Sequence, residues 1–204
     1  MTSPNTSATG GVLQPEVNSP PLEGSALQVF LQNWIAPLTT LEPSLVRPRW
    51  QPEPSNIPDV AVAWCAVGPA ERRSDTFPYV AQLPDNGGAV LQRQEELPVL
   101  CSFYDLGATG DADYYATLTR DNMIIPQNQE FLRANGFALA YTGVLTIAPT
   151  LKSTRWLMRV DLPVTLRRQI DRTYRILTVE SAQVNVTTSD GLDFEVDVEA
   201  GDNS

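Results

Sequence analysis

Two pairs of carboxylates stand close enough in the sequence to share work: Asp111 with Asp113 in "DADYY", and Glu95 with Glu96 in "QEEL". Paired acids can bind a divalent cation or divide the roles of general acid and general base. The same acids also suit blander positions, the first turn of a helix for the aspartates and the solvated end of a strand for the glutamates. Little else in the chain helps them toward catalysis. There is no histidine, which removes the commonest general base, the imidazole-dependent serine and cysteine nucleophiles, and most zinc and copper sites. Lys152 is the only lysine, so Schiff-base chemistry would rest on one residue, and no Gly-rich phosphate loop is present. Cys65 and Cys101 lie apart within apolar stretches, a setting for buried free thiols in a reducing compartment rather than for a disulfide framework. The expectation is a protein that is not an enzyme and needs neither metal nor cofactor.

The chemistry left to the chain is that of charged surfaces. "RWLMRVDLPVTLRRQIDRTYR" carries Arg155, Arg159, Arg167, Arg168, Arg172 and Arg175, six of thirteen arginines, in a chain of net charge −10. Guanidinium groups make bidentate, partly buried ion pairs and are enriched at interfaces, so the cluster reads as a subunit or partner surface in preference to a solvated face. A pI near 4.4 argues against nucleic-acid binding, which needs a basic footprint. The acidity is local: from Leu177 onward there are seven acids and no base. There Asp193, Glu195, Asp197 and Glu199 alternate with Leu192, Phe194, Val196 and Val198. This acidic face is either a soluble edge that blocks stray pairing or the counterpart of the arginines on a neighbouring copy.

These residues need elements to hold them. Residues 1–24 are rich in Ser, Thr, Pro, Asn and Gly and read as a flexible arm. Leu27, Phe30, Leu31, Trp34, Ile35 and Leu38 recur at helical spacing after Ser25, a plausible cap, and the helix should end near Pro37. "VAVAWCAVG" reads as an interior strand. Asp85, Asn86, Gly87 and Gly88 supply a tight turn for a long hairpin arm whose returning limb carries Arg93 and then Leu97, Val99, Cys101 and Phe103 on one face. Two short helices follow, the first with a stripe of Tyr114, Leu118 and Ile125, the second capped by Asn128 and ended by Gly136. "FALAYTGVLTIAPTL" is a strand run bent at Gly143 and halted at Pro149.

In the arginine stretch Trp156, Met158, Val160, Leu162, Val164, Leu166 and Ile170 share one parity, which predicts a single strand too long for one core. Arg168 breaks the apolar parity and marks where the strand should leave the core, while Pro163 suggests an edge or a bulge. Residues 181–204 hold a second, acidic hairpin turning at Ser189, Asp190 and Gly191. No run is long and apolar enough for a membrane helix, and the first residues do not resemble a signal peptide, so a cytoplasmic protein without membrane contact is expected.

At "LVRPRWQPEP", "WCAVG", "LQRQEELPVLCSFYDLG", "RDNMIIPQNQEFLRANGF" and "RWLMRVDLPVTLRRQIDRTYRIL" the chain resembles the bacteriophage neck and tail-terminator family. These are the collar proteins that join tail to head in contractile-tailed phages, and the likeness spans about residues 25–180 in the family's order of segments. The resemblance implies an α+β subunit: a twisted antiparallel sheet with helices packed on one face and long protruding hairpins. It implies a homo-oligomeric ring of six copies at the virion neck, assembled in the host cytoplasm. Such a ring caps the tail tube, meets the head–tail connector protein and, as a further neighbour, the sheath, while DNA passes through its lumen without specific binding. A head-side connector or a baseplate component is the alternative within the same class. No active-site motif is carried over.

Overall fold

The computed structural model describes residues 9–16, 22–50, 62–83, 88–105, 111–152, 155–176, 181–187 and 193–199. Contacts divide the chain into two units, one of Ser19–Pro78 with Arg93–Ile170, the other of Met1–Asn18, Tyr79–Gln92 and Asp171–Ser204.

The first unit is built on two long strands, β5 (Ala89–Asp105) and β9 (Arg155–Tyr174), which neighbour each other in a nine-stranded sheet. Their lengths, 17 and 20 residues, compare with about 5–6 for an ordinary strand. Each is lined by successive short partners. Along β5 run β2 (Trp64–Pro69), with Val67 opposite Cys101, and β3 (Arg73–Ser74), with Arg73 opposite Glu96. Along β9 run β6 (Phe137–Thr142), β7 (Thr146–Ile147) and β8 (Thr150–Lys152). These pairings are antiparallel. The edge strand β1 (Val46–Pro48) joins β2 in parallel, which makes the sheet mixed.

Helix α1 (Gly24–Thr39) packs the predicted stripe of Leu27, Phe30, Leu31, Trp34, Ile35 and Leu38 onto one face of this sheet. Burying side chains of this size contributes roughly 1.5–3 kcal/mol each. Glu23 holds the cap position without a side-chain cap bond, so Ser25 lies inside the helix. It also runs past Pro37 to Thr39, where Thr40 turns left-handed at φ 59°. A proline near a helix end removes one backbone donor, and here the end is closed by other groups. Thr39 Oγ1 donates to the Ala36 carbonyl at 2.9 Å and accepts the Leu41 N–H at 3.1 Å, and Asn122 donates to the Leu38 carbonyl at 2.8 Å.

Helix α2 (Asp111–Ile124) buries Ala112, Ala116, Thr119 and Met123. The expected stripe is displaced: Tyr114 and Ile125 are exposed, and the buried positions are held by small residues, Ala112, Ala116 and Thr119, with Met123. Asn128 caps the end of α2, donating to the Asn122 carbonyl at 2.8 Å, and not the start of α3 (Glu130–Ala134). The strand run after α3 breaks at Gly143, between β6 and β7, and Pro149 interrupts it without halting it, since β8 follows. Gly143 is required by packing. A Cβ there would stand 2.6 Å from Pro163 Cγ, and the Gly143 N–H donates to the Pro163 carbonyl at 2.7 Å. Pro163 therefore sits where β6 has ended and β7 has not begun.

Cys65 and Cys101 are buried, unbridged thiols on adjacent strands. Burial, then a hydrogen bond from the pair, pushes the Cys65 thiol well above its ordinary range.

In the second unit β4 (Tyr79–Gln82) pairs with the start of β5, and the Leu83 N–H donates to the Gly88 carbonyl at 2.8 Å, so the expected hairpin forms. Its tip residues Asp85, Asn86 and Gly87 lie outside the described residues. Strands β10 (Ser181–Thr187) and β11 (Asp193–Glu199) form an antiparallel sheet of their own, as the second expected hairpin requires, while its turn at Ser189, Asp190 and Gly191 lies outside the described residues.

Candidate assembly interface

Alternation along β9 separates two kinds of position. Val160, Leu162, Val164, Leu166 and Ile170 are buried, while Pro163, Arg167 and Gln169 are exposed on the face that the helices leave open. On β5, Leu97, Val99, Cys101 and Phe103 share the buried face with Glu95, and Glu96 lies on the other parity.

The sequence suggests that β9 leaves the core at Arg168. Instead Arg168 stays on the buried face, only 5% exposed, with its Nε on Glu95 Oε2 at 2.5 Å. Its Nη1 donates to the Leu22 carbonyl at 2.6 Å, and its guanidinium lies 5.3 Å from the Phe137 ring centroid. Phe137 in turn stacks on Phe30 of α1 at 4.7 Å. A buried guanidinium needs a counter-charge and acceptors; β5 supplies the carboxylate and the segment before α1 a carbonyl, Phe137 of β6 lies against the group, and Nη2 is buried without an acceptor among the described residues. Arg168 therefore holds the first unit together. One residue earlier, Arg167 turns to the open face and pairs with Glu96 Oε1 through Nε at 2.9 Å and Nη2 at 2.7 Å, in solvent.

Farther along the open face, Arg159 donates through Nε to Asp161 Oδ1 at 2.9 Å and through Nη2 to Oδ2 at 2.5 Å. Ser102 of β5 donates to the same Oδ1 at 2.6 Å. Burial pushes the Asp161 carboxyl up, but the hydrogen bonds from Arg159 and Ser102 and the charges of Arg159 and Arg49 outweigh it and hold the group below its ordinary value. The bond to Asp161 raises Arg159 in return.

The remaining predicted residues are spread over both units. Arg155 stands opposite Lys152 at the start of β9. Arg172 is half-buried in the second unit, where Arg175 pairs with Glu16 at 2.5 Å and the Glu16 N–H donates to the Thr173 carbonyl at 2.8 Å. Asp193, Glu195, Asp197 and Glu199 stand in register with Thr187, Asn185, Gln183 and Ser181. Arg93 is half-buried on β5. Asp111 and Asp113 occupy the first turn of α2, where acids complement the helix dipole. Among the described residues no group of three or more metal-ligating side chains occurs, and no helix is long and apolar enough to cross a membrane.

One surface escaped the pattern. Trp156 and Met158 keep the parity of buried Val160, yet they are 66% and 38% exposed. Across the ribbon Leu151 faces Trp156 and Ile147 faces Val160, and these are 55% and 64% exposed. The apolar stripe of β9 thus continues beyond the residues the helices cover. Periodicity identifies which residues share a face and is silent on where the covering layer stops.

The chain matches the phage neck terminator protein family over residues 25–191. No curated protein matches it. A match over that share of the sequence shows that the chain belongs to the phage neck terminator family, a family of structural proteins of the virion.

Proposed function

We propose that the chain forms a closed ring of six copies at the phage neck, which caps the tail tube and joins the tail to the connector on the head side. Family membership over residues 25–191 carries this proposal. Two properties of the chain support it. Strands of 17 and 20 residues pass through both contact units, as suits segments completed by sister copies. A net charge of −10 would let DNA pass through a lumen without adhering.

The arginines able to trade an intrachain partner for a neighbour's carboxylate are those near solvent, with Arg167 on exposed Glu96 and Arg175 on Glu16 foremost. Arg168 is buried on Glu95 and is left out of this set. Assembly takes place in the host cytoplasm, with the tube protein, the connector and the sheath as neighbours.

The test is to add the purified chain to growing tail tubes and follow tube length and bound stoichiometry by electron microscopy and sedimentation. Growth should stop with one ring at the tube end. Tubes that lengthen unchanged with no chain bound would overturn the proposal.

A further inference from the structure

Arg133 lies outside the arginine-rich stretch, yet the fold brings it there. Leu132 is fully buried and pins α3 to the core, and Gly136, left-handed at φ 75°, turns the chain into β6, which pairs Phe137 with Arg168 and Ala138 with Arg167. The result is an open cavity of about 340 Å³, lined by Arg133, Arg167 and Arg168 together with Gln94, Gln169 and the first residues of β6. Among its described lining residues there is no acid, in a chain with 24 acids and 14 bases. The charges around it do not balance. Arg167 has Glu96 and Arg168 has Glu95, whereas among the described residues Arg133 donates only to neutral groups, the Pro126 carbonyl at 3.5 Å and Gln129 Oε1 at 3.2 Å. One guanidinium of the three is left without a carboxylate. The set is short of acceptors as well, because Arg168 Nη2 is buried with none among the described residues.

Resting on the ring reading above, we infer that this cavity receives one carboxylate side chain from a second copy, with Arg133 as the anchoring cation and Arg167 beside it. Charge complementarity selects that occupant. Chains of net charge −10 repel one another, so a contact between copies needs cations that accept a neighbour's acid, and here one guanidinium stands without its counter-charge. A guanidinium is planar, and its paired N–H groups match the two oxygens of a carboxylate. Arg167 and Gln169 project from the face that the helices leave open, so an incoming chain meets them without disturbing the core. DNA is the poorer fit: one cavity of three arginines is no basic footprint, and a chain of this charge repels a phosphate backbone. Because the cavity and the acid that fills it belong to different surfaces, the contact is head to tail and can close a ring.

The test uses the full chain in two variants that change the net charge equally. Arg133→Glu reverses the anchor, which is exposed, and Arg120→Glu reverses an arginine of α2 that pairs with Asp121 away from the cavity. Circular dichroism checks folding, and sedimentation should show Arg133→Glu associating at least about tenfold more weakly than Arg120→Glu. A second measurement needs no variant. Phenylglyoxal modifies accessible guanidinium groups, and peptide mass spectrometry should find Arg133 labelled in the dilute wild type, protected once the copies assemble, and still labelled in the dilute wild type with duplex DNA added. Variants that associate equally, or an Arg133 labelled as fast in the assembly as in the dilute chain, overturn the inference while leaving the ring standing. Protection by DNA and not by assembly would make the cavity a phosphate site and overturn it too. A wild type that stays monomeric even beside the tube protein overturns both the inference and the ring.

Discussion

Arg167 and Arg168 are neighbours on one strand, and their partners Glu96 and Glu95 are neighbours on the next, yet the two ion pairs live in different solvents. The Arg167 pair lies on the open face in water, whereas the Arg168 pair lies among α1, β6 and the core. In water an ion pair is screened and contributes little, while a buried pair fixes structure because neither partner can be removed without stranding the other. One face of the sheet therefore specifies the fold and the other is free to serve contacts.

The largest effect should come from breaking the buried pair. Arg168→Ala strands Glu95 and should cost about 3–5 kcal/mol in chemical denaturation. Replacing both partners, Arg168→Met with Glu95→Leu, should restore most of that stability. A double variant as unstable as the single one would show that the pair does more than neutralise itself. Next comes Gly143→Ala, which drives a methyl into the Pro163 ring and should cost about 1–3 kcal/mol by the same measurement.

A smaller effect is confined to acid. The Asp161 carboxyl is held below its ordinary value in the folded state, so its ionised form contributes stability above the unfolded pKa, near 3.9. That contribution is lost as the pH falls through the lower folded value. Asp161→Asn should therefore flatten the acid limb of a stability-against-pH curve, and a limb of unchanged steepness would place the loss elsewhere. The smallest effect belongs to Arg167→Ala, about 0.2–1 kcal/mol and weaker still in high salt. A loss as large as that of Arg168→Ala would erase the contrast between the faces.

Much of this division could be read in advance. The α1 stripe, the interior strand, both hairpins and the parity of β9 follow from spacing alone, because periodicity reports faces directly. The mates of the arginines did not follow. Arg168 on the apolar parity of β9 and Glu95 on the apolar parity of β5 are each an anomaly. Only together, with the strands side by side, do they become a buried pair. The α2 stripe failed because alanine counts weakly in a hydrophobic pattern and strongly in close packing. Alternation puts Trp156 and Met158 on the parity of buried Val160, and their exposure did not follow from it, because nothing in a strand's alternation says where the helices above it end.

The central claim is that this chain works as one member of a ring whose copies finish each other's β structure. A cryo-electron microscopy map of the neck in the intact particle tests it most directly. The map should show a closed ring between tail tube and connector, with the long strands of each copy packed against the next. A neck in which each copy stands self-contained, with those strands touching no neighbour, would contradict it.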